Sequence, residues 1–247
     1  MMMDFTIFPA IDIRDGKVVR LKEGDPLQQT DYASNPAEIA ARFLDAGATW
    51  LHVVNLDGAF EEPDAANKNA LAQVLKVTQK IAAHVQYGGG IRSLADIESL
   101  IGMGIDRVIL GTAAIQDPNF LADALEKWGD ENIGLSLDAR DGIIRVRGWK
   151  ETTEKSALET AVNMAKTGLK WLVFTDIARD GLQTGLNLNA TIEIAAHTHL
   201  NVIASGGVKN MEDIRATHKA KLAGVIVGRA LYEGTIDVLE LFQTIKK

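Results

Sequence analysis

Along the 247 residues, apolar β-branched runs of four to seven positions alternate with longer stretches whose apolar residues recur at helical period. A run that is apolar at every position is what a parallel strand buried on both faces requires, and the helical stretches supply its cover. The pattern predicts eight strands: Phe5 to Ile11, Trp50 to Asn55, Val85 to Tyr87, Arg107 to Leu110, Ile133 to Leu137, Trp171 to Thr175, Val202 to Ala204 and Gly224 to Val227. Helices are expected over Ala37 to Ala46 behind Asn35-Pro36, over Leu94 to Met103 behind Ser93, and over Asn119 to Trp128 behind Asp117-Pro118. Polar residues and proline at those points suit a helix start. No Pro-, Gly- or Ser-rich linker breaks the rhythm, so residues 1–247 read as one domain.

The pattern also repeats. Gly89-Gly90-Ile91-Arg92-Ser93-Leu94-Ala95-Asp96-Ile97 returns as Gly206-Gly207-Val208-Lys209-Asn210-Met211-Glu212-Asp213-Ile214, and Gly111-Thr112-Ala113 returns as Gly228-Arg229-Ala230, at one offset of 117 positions. Ile11-Asp12-Ile13-Arg14-Asp15-Gly16 similarly matches Leu137-Asp138-Ala139-Arg140-Asp141-Gly142, and Trp50-Leu51 matches Trp171-Leu172. Eight strand-helix units in two related halves close most naturally into a (β/α)8 TIM barrel, for which a length of roughly 250 residues is usual. A shift of four strands in eight is half a turn. Corresponding residues of the two halves should therefore face each other across the barrel mouth.

Composition narrows the function. The 47% hydrophobic content supports a large core, while no apolar run is long enough to span a bilayer. Asp4 and the lack of a basic stretch ahead of the first apolar run argue against a secretory signal. The absence of cysteine removes disulfides, zinc thiolates and thiol nucleophiles, and suits the cytoplasm. A formal charge of −7 argues against nucleic acid as a partner. The expected partner is a small molecule, with the chain acting as a monomer away from membranes.

The repeated glycines are the first chemical signal. Bare N–H groups after a strand and at a helix N-terminus can face an anion. Gly88, Gly89 and Gly90 should combine with Gly111 and Thr112 as one phosphate site, and Gly206 and Gly207 with Gly228 and Arg229 as another. Two such sites imply a ligand with a phosphate at each end. Arg92 and Arg229 are candidate cations; a solvated surface position is the plainer reading of Arg92. Asp12 and Asp138, each directly after an apolar strand, should point into the site, where two opposed carboxylates suit paired acid and base catalysis. Thr175 and Asp180, after strand six, are candidates to orient a sugar or assist proton transfer, and Asp180-Gly181 also fits a simple turn. His52 is either a ligand contact or a satisfied core histidine. His84, His197, His199 and His218 lack metal-ligand spacing, so no metal is expected. Trp149, after Arg147-Gly148, lies on a long segment after strand five and either stacks on a flat ligand or packs the loop onto the barrel.

With those residues in hand, the whole chain resembles the phosphoribosylformimino-5-aminoimidazole carboxamide ribotide isomerases of histidine biosynthesis. The resemblance rests on Pro9-Ala10-Ile11-Asp12, Gly16-Lys17-Val18-Val19-Arg20-Leu21, Trp50-Leu51-His52-Val53-Val54, Gly88-Gly89-Gly90-Ile91-Arg92-Ser93, Leu137-Asp138-Ala139-Arg140-Asp141-Gly142, Thr175-Asp176-Ile177, Ser205-Gly206-Gly207-Val208 and Val227-Gly228-Arg229-Ala230-Leu231. It implies an Amadori rearrangement of a bisphosphorylated aminoaldose, with Asp138 as the acid that opens the ribose and Asp12 as the base that takes the C2 proton. No cofactor is implied, because the substrate's own iminium is the electron sink. Asn55 and Leu182 depart from the family pattern, which usually has aspartate and threonine there. Arg20 and Arg147 resemble the branch that also isomerises phosphoribosyl anthranilate. The paralogous cyclase and a catalytically silent phosphate-ligand binding protein are the competing readings.

Overall fold

The computed structural model describes residues 5–245, so Asp4 lies outside it. Twelve strands are present among them: β1 (Thr6–Arg14), β2 (Lys17–Lys22), β3 (Asp25–Ala33), β4 (Trp50–Asn55), β5 (His84–Gly88), β6 (Arg107–Leu110), β7 (Ile133–Arg140), β8 (Ile143–Val146), β9 (Glu151–Ser156), β10 (Trp171–Asp176), β11 (Asn201–Ser205) and β12 (Gly224–Val227). Eight of them pair in parallel in the order β10, β11, β12, β1, β4, β5, β6, β7, and β7 pairs with β10 to close the ring. The expected barrel is borne out. Four strand steps separate β1 from β7 in either direction, so the related halves do stand opposite each other.

The other four strands were not expected. After β1 and after β7 the chain makes an antiparallel excursion, β2 with β3 and β8 with β9. Both begin at the repeated Asp-Gly. Asp15 and Gly16 have φ of 49° and 71°, Asp141 and Gly142 of 53° and 77°, as a two-residue hairpin turn of the right twist requires. The segment after strand five is thus a hairpin and not an irregular loop.

Two apolar layers hold the barrel. Outward side chains such as Ile11, Leu51, Val85, Leu110, Leu135 and Leu172 pack under the helices. Inward ones, including Phe8, Ala10, Ile109, Val173, Ile203 and Ile226, fill the interior, with Trp50 and Trp171 against them. Those two tryptophans, a repeated pair in the sequence, flank the guanidinium of Arg107 at 4.6 and 3.7 Å from their ring centroids. The helices start close to expectation: Asn35 caps Pro36–Asp45 and Asp117 caps Pro118–Trp128. No helix among the described residues is long and apolar enough to cross a membrane.

Candidate active site

The C-terminal ends of the barrel strands surround one cavity of about 560 Å³. Asp12 and Asp138 both line it. They sit inside β1 and β7 and not after them, because each strand runs on for two more residues, to Arg14 and Arg140, into its hairpin. Alternation along a strand still points them inward.

The two carboxylates have unlike surroundings. Arg20, carried in by β2, donates to Asp12 Oδ2 at 2.5 Å and to the Ala10 carbonyl at 3.1 Å. Burial raises the Asp12 carboxyl above its ordinary range, and the guanidinium works against that shift. Asp138 instead accepts from the Ser136 hydroxyl at 2.7 Å and from the Trp149 indole N–H at 2.8 Å. Trp149 has therefore turned in from its hairpin, with Arg147, Gly148 and Trp149 in succession left-handed at φ of 54°, 60° and 68°. Thr175 stands in register between Asp138 and Ser205 and is buried. Asp180 follows β10 and lines the same cavity. Burial pushes its carboxyl up to about 7, with Arg20 pulling it down and the charges of Asp12 and Asp138 adding to the rise.

The turn between β2 and β3 closes over these groups. The Glu23 amide donates to the Asp180 carbonyl at 3.0 Å, Arg140 donates to Glu23 at 2.7 Å, and the Trp149 ring lies where a Gly24 side chain would begin.

Both glycine sets line the cavity, but of the helix ends that the sequence combined at each site only those after Gly111 and Gly228 lack a side-chain cap. Leu94–Gly102 and Met211–Lys219 are each sealed by a capping box, Ser93 with Asp96 and Asn210 with Asp213. In those first turns the amides of Asp96, Glu212 and Asp213 are already occupied. The open ends belong to two short helices, Thr112–Gln116 and Arg229–Tyr232, whose N-caps Gly111 and Gly228 offer no capping side chain. Gly89 and Gly206 have matching reasons to be glycine: at φ of +100° and +92°, an added Cβ would lie 2.2 Å from the Asn55 carbonyl oxygen or 2.6 Å from that of Asp176. At Gly228 it would strike Arg20, 2.3 Å away. Gly88 is different, since a Cβ there would meet only ordinary contacts.

The cations are only partly free. Arg92 also lines the cavity, but its guanidinium donates to the Gly58 carbonyl at 2.8 Å and buttresses the turn beside Gly90. Arg229 donates to Gly181 and Glu233 at 2.6 and 2.7 Å and keeps its backbone at the open helix end. Arg147 reaches outward to Glu151 at 3.1 Å, while its amide donates to the Thr112 hydroxyl at 2.9 Å.

A sequence profile of the family described as histidine biosynthesis protein matches residues 6–237. The chain belongs to the histidine biosynthesis protein family. It is 43% identical to a 1-(5-phosphoribosyl)-5-((5-phosphoribosylamino)methylideneamino)imidazole-4-carboxamide isomerase of Desulfitobacterium hafniense, over 98% of this chain and 97% of that one. Isomerases of the same name from Rhodopseudomonas palustris and Bradyrhizobium diazoefficiens are 46% and 47% identical, over 98% and 94% of this chain and 98% and 92% of theirs.

Within this histidine biosynthesis protein, several groups around the cavity had not been singled out from the sequence. Gln86 on β5 bonds His52, Ser136 on β7 donates to Asp138 and Tyr232 donates to the Ala10 carbonyl; Gln86 and Ser136 are each a lone polar residue between apolar neighbours. Asn55, the departure from the family pattern, is buried; it accepts from the Gly58 amide at 3.0 Å and from Asn67 at 2.7 Å, and donates to Asp64 at 2.8 Å. Its side chain holds the turn under Gly89 and Gly90 instead of facing the cavity.

Proposed function

We propose that this protein is the aldose-ketose isomerase of histidine biosynthesis, converting a bisphosphorylated N-glycosylic aminoaldose into the aminoketose. The observation that carries the reading is the pair of open helix ends, at Gly111 and Gly228, on opposite strands of a cavity that also holds opposed carboxylates. Each phosphate binds the glycine amides and helix N-terminus of one half barrel. The sugar to be rearranged then lies between Asp12 and Asp138.

Asp138 gives its proton to the ribose ring oxygen as the C1–O bond breaks, and the glycosidic nitrogen's lone pair forms the Schiff base. Asp12, made more basic by burial, takes the proton from C2. The electrons of that C–H bond flow into the iminium, giving an enolamine whose tautomer is the ketone at C2. Thr175 and Asp180 hold the opened sugar and its exchanging protons. Trp149 leaves Asp138 when a ligand arrives and offers its face to the heterocycle. No redox cofactor enters this balance, because the substrate carries its own electron sink. The single closed ring of eight parallel strands supports one domain over residues 1–247, and the cysteine-free composition supports the cytoplasm.

Steady-state assay of the purified protein with the bisphosphorylated aminoaldose and, separately, with phosphoribosyl anthranilate tests this. Turnover of the first to the ketose is expected. Formation of imidazole glycerol phosphate in a coupled assay with ammonia would make it the cyclase, and calorimetric binding without turnover would make it a silent binding protein.

A further inference from the structure

From the cavity wall inward, three polar side chains form a line around the inside of the barrel. His52, Gln86 and Arg107 stand on β4, β5 and β6 in register, His52 opposite Gln86 and Gln86 opposite Arg107. Their exposures are 8%, 0% and 3%. Arg107 is clamped between the faces of Trp50 and Trp171, and its Nε donates to the Glu131 carbonyl at 3.1 Å. Buried polar groups in such a place need defined partners.

The donor inventory then fixes each proton. A guanidinium can only donate, so the Gln86 atom that faces Arg107, at 3.4 Å, is the amide oxygen. The Gln86 amide nitrogen therefore lies 3.0 Å from His52 Nδ1. An amide NH2 can only donate as well. His52 Nδ1 must accept, which leaves the ring's single proton on Nε2. Among the described residues no group bonds Nε2, and the ring lines the cavity with Asp12 and Arg20. Desolvation, with Arg20 adding to it, lowers the His52 pKa to about 3 and keeps the ring neutral.

We infer that Gln86 and Arg107 are positioning residues that hold His52 as a neutral Nε2–H donor, aimed at an acceptor oxygen of the sugar between the two anion sites. The identity of that sugar rests on the isomerase reading; the protonation state does not. The chemistry favours this form. An imidazolium beside the developing Schiff base would oppose its positive charge, and the other neutral tautomer would present a lone pair where the sugar oxygen needs a donor. A fixed donor in a buried site needs no reorganisation when the ring opens.

Two measurements test the inference. Long-range proton–nitrogen NMR correlations on imidazole-labelled protein, assigned by loss of the signal in His52→Gln, should give His52 a protonated Nε2 and a bare Nδ1 that do not titrate between about pH 5 and 8. A proton on Nδ1 in the wild-type protein, or titration in that range, overturns the proposal. In Gln86→Glu the facing atom becomes an acceptor, so a proton should move onto Nδ1 and kcat/KM for the isomerisation should fall about tenfold or more. Arg107→Lys, still a pure donor, should keep the wild-type tautomer and most of the activity, whereas Arg107→Met should lose the tautomer signature. An unchanged tautomer in Gln86→Glu, or a changed one with unchanged kcat/KM, overturns the proposal. A wild-type protein with the expected tautomer and no turnover supports the relay while refuting the isomerase reading.

Discussion

Single groups in this cavity have been given unlike tasks by their neighbours. Asp138 keeps two neutral donors, Ser136 and Trp149, whereas Asp12 holds the guanidinium of Arg20. Asp138→Asn should therefore lower kcat by about 10² to 10⁴ with little change in melting temperature, since an amide oxygen still accepts one of the two bonds. Asp12→Asn should lose comparable activity and some stability as well, because it leaves a buried guanidinium without its counter-charge. Stopped assays beside thermal melts check both, and turnover within a few-fold of wild type would remove either residue from the mechanism. Asp180 makes a separate prediction through its proton. With a folded pKa of about 7 against an ordinary 3.8, the folded state binds more protons between those values, so this group lowers stability as pH rises through that window. Asp180→Asn should raise the melting temperature by several degrees at pH 8 and by little at pH 4. Equal gains at both pH values would mean that the charge of Asp180 is not the cause. Asp12 and Asp138 were legible in the sequence because they sit beside turn signals and in a repeat, whereas Arg20 entered only through the family resemblance. Gln86 was not: one amide inside Val85-Gln86-Tyr87 acquires meaning only when closure of the ring sets it between His52 and Arg107.

Among the elements, the sequence signal was strongest where burial is two-sided. All eight barrel strands are apolar runs and were legible. β3 and β9 were not, since Asp25–Ala33 and Glu151–Ser156 are largely exposed and carry no apolar alternation. Their only trace was Asp15-Gly16 and Asp141-Gly142, a hairpin signal that also reads as a strand end. The helix ends carry the same lesson in reverse. Ser93 with Asp96 and Asn210 with Asp213 are capping residues in the sequence, and caps consume the donors that a phosphate would need. Asp96→Ala and Asp213→Ala should each cost about 1 kcal/mol of stability, read from denaturant midpoints, and leave KM within about twofold. A tenfold rise in KM would put the anion at the capped helices and refute the assignment to Gly111 and Gly228.

Over the whole molecule, the two half barrels have kept one plan and diverged in its details. At one pole the position after the helix-capping glycine is Arg229, which braces Gly181 and Glu233; at the other it is Thr112, whose hydroxyl accepts the amide of Arg147 on the Trp149 hairpin. One pole is thus tied to the loop after β10 and the other to the segment that covers Asp138. Arg229→Ala should raise KM in a salt-dependent way, because it removes a positive charge close to a phosphate. Thr112→Val should raise KM with little salt dependence and should also alter kcat, since it releases Arg147 and with it the approach of Trp149. The poles lie on opposite strands and share no partner, so the free energies of the two changes in KM should add in the double variant to within about 0.5 kcal/mol. Strong non-additivity in that cycle would mean that the two glycine sets form one anion site, and a ligand spanning the barrel would then have no second end to hold.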